Sequence, residues 1–265
     1  MVESIVLGII QGIAEWLPIS SEGLLILAKV RFFGGGDVKE LINYAMFLHL
    51  GTFFAALIYF RKAILLLIKA LFKYRTAKVE VRKLLNFYIL ATAISGAVGL
   101  AILMGIRQID GDSLLLTGRG IVLLISTMLL ITAFLQLGRK KEGGYRKIAN
   151  LEKKDSLILG VAQGLSIVPG LSRSGLTVSA FLLRKFDDAA ALKMSFLMSL
   201  PVILGGNIYL NFNQSFLTIE SLIGLALSFI VGIFTIHILL KIAKKLNFGW
   251  FVLLFAGIMI LSVFI

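Results

Sequence analysis

Long apolar segments, separated by short polar and mostly basic segments, make up most of this chain. A helix must contain about 20 residues to cross a hydrocarbon layer about 30 Å thick. Six apolar segments have about that length, and they are residues 41–60, 84–106, 120–137, 194–212, 221–240 and 249–265. Four apolar segments are shorter and form two consecutive pairs, residues 4–19 with 24–33 and residues 156–168 with 176–184. The pattern predicts an all-α polytopic membrane protein.

The two pairs of short segments resemble each other. Residues 8–23 and 160–175 align at a constant offset, and each contains an apolar run, a proline and a segment rich in Ser and Gly. The identical pairs are Gly8/Gly160, Gln11/Gln163, Gly12/Gly164, Ser20/Ser172 and Gly23/Gly175. We call residues 18–23 the first elbow and residues 169–175 the second elbow. Irregular backbone at membrane depth requires protein or water as its hydrogen-bonding partner. The repeat therefore predicts two re-entrant hairpins, residues 4–33 and 156–184.

Lys and Arg are distributed unevenly among the connecting loops. Loops 61–83, 138–154 and 241–247 contain 18 of them, whereas the other three loops contain 3. The positive-inside rule places the first set in the cytoplasm. With two re-entrant hairpins, the halves 1–137 and 155–265 then have opposite orientations, each with one hairpin and three spans. The prediction is an inverted repeat joined by a basic cytoplasmic linker, residues 138–154.

The composition narrows the classes of function. Charged residues make up 15% of the chain and hydrophobic residues 58%, which is typical of an integral membrane protein. The net charge of +13 is explained by topology and by anionic lipid headgroups, so no nucleic-acid partner is expected. The chain contains no Cys and two distant His, so neither a disulfide nor a zinc cluster is expected. Trp16 and Trp250 are expected to face lipid or the membrane interface.

The elbows are predicted to meet near the centre of the membrane. Two hairpins that enter from opposite faces would bring their tips together, and helices 24–33 and 176–184 would both begin there. Helix N-termini present free N–H groups and the positive end of the helix dipole, and they bind phosphate. Gly23, Gly170 and Gly175 would permit close backbone approach and positive φ.

Two ionisable side chains lie within these apolar surroundings. Glu15 and Arg173 either form a buried ion pair that fixes the hairpins or line a polar functional site, and intramembrane ionisable residues favour the second interpretation. Arginine offers several N–H donors in a geometry that suits phosphate. The elbow serines Ser20, Ser21, Ser172 and Ser174 act either as helix N-caps, an interpretation considered in particular for Ser20 and Ser174, or as a nucleophile activated by a nearby base.

Four further polar residues have two interpretations each. Gln11 and Gln163 either link the hairpins to each other or contact substrate. Glu22 either faces water or provides a second carboxylate. His49 is either a hydrogen-bonded intramembrane histidine or a proton-transfer group.

At these residues the sequence resembles the undecaprenyl-diphosphate phosphatase family of bacterial and archaeal membranes. Residues 11–23 (QGIAEWLPISSEG) are similar to the family's first motif, and residues 169–175 (PGLSRSG) match its second motif. Residues 47–52 (FLHLGT) resemble a third family segment. One position departs from the motif: the family usually has His after the last Gly of the first motif, whereas this chain has Leu24.

The resemblance implies removal of the terminal phosphate from a polyprenyl diphosphate to give the monophosphate carrier lipid. It implies that Glu15 is the acid or base, Ser21 the nucleophile and Arg173 the phosphate clamp. The expected diphosphate-binding residues are Gln11, Ser20, Gly23, Gly170, Ser172, Ser174 and Gly175. It also implies a homodimer, a site that opens away from the cytoplasm, and a divalent cation, Mg²⁺ or Ca²⁺, that Glu15 could hold. No organic cofactor is expected, and His49 or Glu22 could replace the missing family histidine.

Inverted repeats with broken helices are also typical of transporters. The alternative function is therefore a carrier or flippase for a lipid phosphate or a small anion. A phosphatase requires an activated nucleophile at an elbow, whereas a carrier requires binding groups and two alternating openings.

Overall fold

The structure is a computed structural model. It describes residues 1–35, 38–106, 145–168, 171–211, 216–243 and 248–262, together with scattered positions between 123 and 137. Regular structure in the continuous ranges is helical, apart from an isolated bridge between Arg146 and Phe186. The helices are α1 (Val2–Ala14), α2 (Ser21–Phe32), α3 (Val38–Tyr59), α4 (Arg61–Phe72), α5 (Val79–Ile106), α6 (Lys153–Leu165), α7 (Arg173–Leu183), α8 (Asp188–Asn211), α9 (Ile219–Ala243) and α10 (Phe248–Ser262). The predicted all-α membrane fold is confirmed.

Among the described residues, four helices are long and apolar enough to cross a membrane. Their spans are Glu40–Tyr59, Val79–Gly105, Asp188–Tyr209 and Ile219–Ala243, and they correspond to four of the six expected spans. Helices α5 and α8 begin five or six residues earlier than expected because their polar, charged first turns are also helical. The expected span 120–137 lies largely outside the described residues, as does the start of the linker. The last expected span corresponds to the 15 residues of α10.

Helices α1 and α2 form one hairpin, and α6 and α7 form a second. Each helix contains 11 to 13 residues and is therefore at most about 20 Å long, which is shorter than the hydrocarbon layer. At the open end of the first hairpin, Lys29 near the end of α2 donates to the Glu3 carboxylate at the start of α1. In the second hairpin, Arg184 Nε donates to Asp155 Oδ1 at 2.6 Å. The two ends of each hairpin therefore lie next to each other.

Glycines on the first helix of each hairpin allow it to pack closely on a long span. A Cβ at Gly8 would lie 2.3 Å from the carbonyl oxygen of Gly224 on α9. A Cβ at Gly160 would lie 2.8 Å from the carbonyl oxygen of Ala91 on α5. Small residues at such contacts let helix backbones approach within van der Waals distance, so α1 is held against α9 and α6 against α5.

The expectation that Trp16 faces lipid is wrong. Its side chain is fully buried, and its ring centroid lies 4.7 Å from that of Phe196. Gly232 on α9 lies against the indole, because a Cβ there would be in van der Waals contact with Trp16 Nε1 at 3.4 Å. Trp250 is 67% exposed, as expected for a lipid-facing residue. The apolar core therefore begins directly beside the tip of the first hairpin.

Candidate functional site

The two elbows meet at the tips of the hairpins. Ser174 Oγ donates to the carbonyl oxygen of Leu17. A Cβ at Gly175 would lie 3.3 Å from the carbonyl oxygen of Pro18. The expected convergence of the two halves is therefore observed, and it brings side chains about 150 positions apart into contact.

Glu15 lies at the centre of this meeting point, directly after the last residue of α1. Its side chain is 5% exposed. Arg173, the first residue of α7, donates Nη2–H to Glu15 Oε1. On the other side, Ser21 Oγ donates to Oε2 at 2.9 Å and Gln11 Nε2 donates to the same oxygen at 3.1 Å. The second hairpin thus donates to Oε1 of Glu15, and the first hairpin donates to Oε2.

His49, on α3, completes the cluster around Glu15. Its Nε2 lies 2.9 Å from Glu15 Oε2 and 3.4 Å from Ser21 Oγ. Its other nitrogen, Nδ1, lies 2.7 Å from the carbonyl oxygen of Ala45. The structure thus places this histidine in the polar cluster with partners on both ring nitrogens, and its role in proton transfer stays a prediction.

Two residues that sequence reasoning missed hold Arg173 in place. Ser195 on α8 accepts a hydrogen bond from Arg173 Nη1 through its carbonyl oxygen at 3.5 Å. Thr177 Oγ1 donates to the carbonyl oxygen of Arg173 at 2.8 Å and lies 2.6 Å from Ser195 Oγ. The available signal was a small polar residue within a predicted span, and such residues are too frequent in this chain to single out Ser195.

The elbow serines have different partners. Ser20 and Ser172 are the N-caps of α2 and α7, because their side chains accept the N–H groups of Gly23 and Gly175 at 3.1 and 3.0 Å. The N-cap interpretation is thus correct for Ser20 and wrong for Ser174, whose hydroxyl binds the first elbow. Ser172 Oγ lies 3.1 Å from Ser174 Oγ.

The elbow glycines provide space rather than positive φ. Gly23 and Gly175 lie inside α2 and α7, and the described glycines with positive φ are Gly34 and Gly35. The expectation of positive φ at Gly23 and Gly175 is therefore wrong, and Gly170 lies outside the described residues. A Cβ at either helical position would lie 3.2 Å from the capping hydroxyl. The helix begins there because the capping residue, and not the glycine, supplies the irregular backbone.

The remaining polar candidates separate into two groups. Gln11 binds Glu15, whereas Gln163 donates through Nε2 to Ser95 Oγ on α5 at 3.4 Å. The two glutamines therefore do not link the hairpins to each other. Glu22 is half-buried in the first turn of α2, and its role as a second carboxylate stays a prediction.

The arrangement does not fit a divalent cation held by protein side chains alone. Mg²⁺ and Ca²⁺ require several oxygen ligands, but the oxygens of Glu15 are engaged by Arg173, Ser21 and Gln11. A metal ion would also compete with the guanidinium for the carboxylate charge. Metal binding at Glu15 stays a prediction, and no step below depends on it.

Comparisons with known proteins show which family this chain resembles over nearly its whole length. The sequence model of the family described as bacitracin resistance protein BacA matches residues 4–261. A protein of Methanococcoides burtonii named undecaprenyl-diphosphatase is 39% identical over 99% of this chain and 98% of its own length. Proteins with the same name from Methanothrix thermoacetophila and Haloarcula marismortui are 35% and 31% identical. They cover 94% and 96% of this chain, and the matches span 91% and 94% of the relatives' own lengths.

Proposed function

The chain belongs to the BacA family, whose model covers nearly its whole length, and we propose that it hydrolyses undecaprenyl diphosphate to undecaprenyl monophosphate and inorganic phosphate within the membrane. The observation that carries this proposal is the contact of Glu15 with both Ser21 and Arg173. It places a hydroxyl, a carboxylate and a guanidinium at the meeting point of two helix N-termini.

Each of these groups has a role in phosphoanhydride hydrolysis. Phosphoryl transfer depends mainly on positioning and on stabilising the charge of the phosphoryl oxygens. A guanidinium has five N–H donors, so Arg173 can bind Glu15 and still offer donors to a phosphate. The N-termini of α2 and α7 add backbone N–H groups and dipole charge. A terminal phosphate held there lies next to Ser21.

In the proposed first step, Ser21 Oγ attacks the terminal phosphorus and its proton passes to Glu15 Oε2. The bond between that phosphorus and the bridging oxygen breaks, and the electron pair leaves with the lipid monophosphate. In the second step, water attacks phospho-Ser21, the bond between phosphorus and Ser21 Oγ breaks, and Glu15 returns its proton to the serine oxygen as inorganic phosphate leaves. If water attacks the diphosphate directly with Glu15 as its base, Ser21 serves only to position it.

Phosphate release by the purified full-length chain tests this proposal. In detergent with undecaprenyl diphosphate, we expect Ser21→Ala to lower kcat by at least about 10³-fold, because the nucleophile is lost. We expect Glu15→Gln to lower kcat by about 10²- to 10⁴-fold. The matched control is Ser166→Ala, since Ser166 precedes the second elbow and its hydroxyl binds the carbonyl oxygen of Gln163.

Several outcomes would contradict the proposal. Wild-type turnover in both Glu15→Gln and Arg173→Ala would show that the cluster is not the active site. A Ser21→Ala variant that retains activity while Glu15→Gln does not would favour direct attack by water. Counterflow of lipid phosphate in liposomes without hydrolysis would favour the carrier.

We also propose the inverted repeat predicted from the sequence. Two observations support it: α1 and α6 each pack through paired glycines on a span of the other half, and each hairpin closes with an acid near its start and a base near its end. Single cysteines test the orientation without background, because the chain contains none. We expect Arg75→Cys to react with an impermeant maleimide from the cytoplasmic side and Leu217→Cys from the opposite side.

Three finer expectations stay predictions that rest on the family resemblance. They are a homodimer, location in the plasma membrane and a site that opens away from the cytoplasm. Cross-linking in native membranes tests the first of these.

A further inference from the structure

We propose that His49 Nε2 is the group that finally accepts the proton of Ser21, with Glu15 serving as the bridge between them. The inference rests on the proposed function and names a further residue of the same site. Its foundation is the placement of one ring nitrogen within 2.9 Å of Glu15 Oε2 and 3.4 Å of Ser21 Oγ.

The surroundings of the ring fix which nitrogen can exchange a proton. Nδ1 lies 2.7 Å from the carbonyl oxygen of Ala45, and a carbonyl oxygen only accepts hydrogen bonds, so Nδ1 carries a hydrogen. Nε2 is therefore the nitrogen that gains or loses a proton. The side chain is buried, with 11% exposure, so its position is fixed by the protein.

The contact between His49 and Glu15 contains one exchangeable proton. An imidazole nitrogen and a carboxylate oxygen 2.9 Å apart hold a hydrogen between them, because two lone pairs would repel. While that hydrogen is present, Nε2 cannot accept another. The catalytically competent form is therefore the one in which the pair has lost it, and acidification should switch the site off.

Glu15 alone is a poor final acceptor. Arg173 lies against its other oxygen, and protonation of the carboxylate would remove the charge that this ion pair requires. Transfer onward to Nε2 keeps Glu15 ionised beside Arg173. Glu15, whose Oε2 lies 2.9 Å from Nε2, and Glu22 carry negative charges that stabilise an imidazolium. Arg173, on the other oxygen of Glu15, carries a positive charge that opposes it.

The proton balance of the two steps follows from this arrangement. When Ser21 bonds to phosphorus, its proton reaches Nε2, and the bridging oxygen leaves with its electron pair as the lipid monophosphate. The imidazolium then gives its proton to the departing phosphate. In the second step, Nε2 accepts a proton from the attacking water and returns it to Ser21 Oγ as the phosphorus–serine bond breaks.

The variant His49→Gln tests the role, since its amide can donate a hydrogen bond to Glu15 but does not titrate. We expect kcat to fall by about 10²- to 10⁴-fold, with KM within about threefold of wild type. The wild-type pH profile should lose activity on acidification between about pH 8 and 5, and the variant should lack this limb. The matched control is His237→Gln, because His237 lies far along α9 and hydrogen-bonds Tyr59.

Two results would contradict the role of His49 and leave the proposed phosphatase function intact. The first is a His49→Gln enzyme whose kcat and acid limb equal those of wild type. The second comes from ¹⁵N NMR of the His237→Gln protein, in which His49 is the remaining imidazole. An Nε2 that keeps one protonation state from pH 5 to 9 would exclude it as the acceptor, whether or not the first variant folds. If the wild-type chain itself releases no phosphate, the proposed function is wrong instead.

Discussion

The ion pair between Glu15 and Arg173 joins the two halves of the chain, so its removal should lower the free energy of unfolding as well as the activity. Their side chains are 5% and 12% exposed. Removing one partner of a buried pair leaves an uncompensated charge and costs about 3–5 kcal/mol. The informative measurement is the free energy of unfolding of Glu15→Gln, of Arg173→Met and of the double variant.

The neighbours of the pair set the size of each change. In Arg173→Met, Glu15 keeps its contacts with His49 and Ser21, so the loss should be near about 3 kcal/mol. In Glu15→Gln, two basic side chains remain side by side without a carboxylate, so the loss should be near about 5 kcal/mol. The double variant removes the pair as a unit and should lose about 2–3 kcal/mol less than the sum of the two.

Unfolding in mixed micelles, followed by tryptophan fluorescence, measures these free energies. Trp16 is fully buried beside the cluster, and a Trp250→Phe background leaves it as the sole tryptophan. The control pair is Lys154 and Glu152, which lie 2.8 Å apart and whose side chains are 60% and 51% exposed. The stability losses of their two substitutions should be nearly additive. If the Glu15 and Arg173 losses add to within about 0.5 kcal/mol, the two residues are not in contact and the site as described does not exist.

Two further predictions follow from the packing and charge of the hairpins. Gly8→Ala should separate α1 from α9 and lower the free energy of unfolding by about 1–3 kcal/mol. The control Gly96→Ala should not lower it, because a Cβ there meets open space. A thermal shift assay compares the two variants. Burial acts to raise the pKa of Asp155, but hydrogen bonds from Arg146 and Arg184 hold it below its ordinary value. That contribution to stability is complete above about pH 4 and is lost as pH falls through the lowered pKa, so unfolding of Asp155→Asn should lack this acid dependence.

Much of the candidate site could be predicted from the sequence because its residues are unusual where they stand. The carboxylate of Glu15 and the guanidinium of Arg173 have no oppositely charged residue within the apolar segments around them. Since unpaired charge is expensive in a membrane, each indicates a partner elsewhere. Ser20 could be assigned as an N-cap for a local reason as well, because an N-cap is recognised from the few residues around it. The same reasoning named Ser174 in the second elbow, where the N-cap is Ser172.

His49, Ser195 and Trp16 could not be placed in the same way. His49 and Ser195 lie in long segments whose apolar residues show almost no helical periodicity, so the pattern does not reveal which face meets protein. Trp16 is equally typical of a lipid interface and of a protein core. Its burial depends on packing against Phe196 and Gly232, which are far along the chain.

The sequence by itself determined the membrane class, the paired short helices and the residue types that converge on the elbows. These follow from segment length against hydrocarbon thickness and from the requirement to satisfy backbone and charge locally. Only the tertiary structure decided that His49 joins Glu15 and Ser21, that Gln163 does not join Gln11, and that α8 supports Arg173. Those contacts depend on the rotation and packing of helices about one another, and packing is set by side chains distant in sequence.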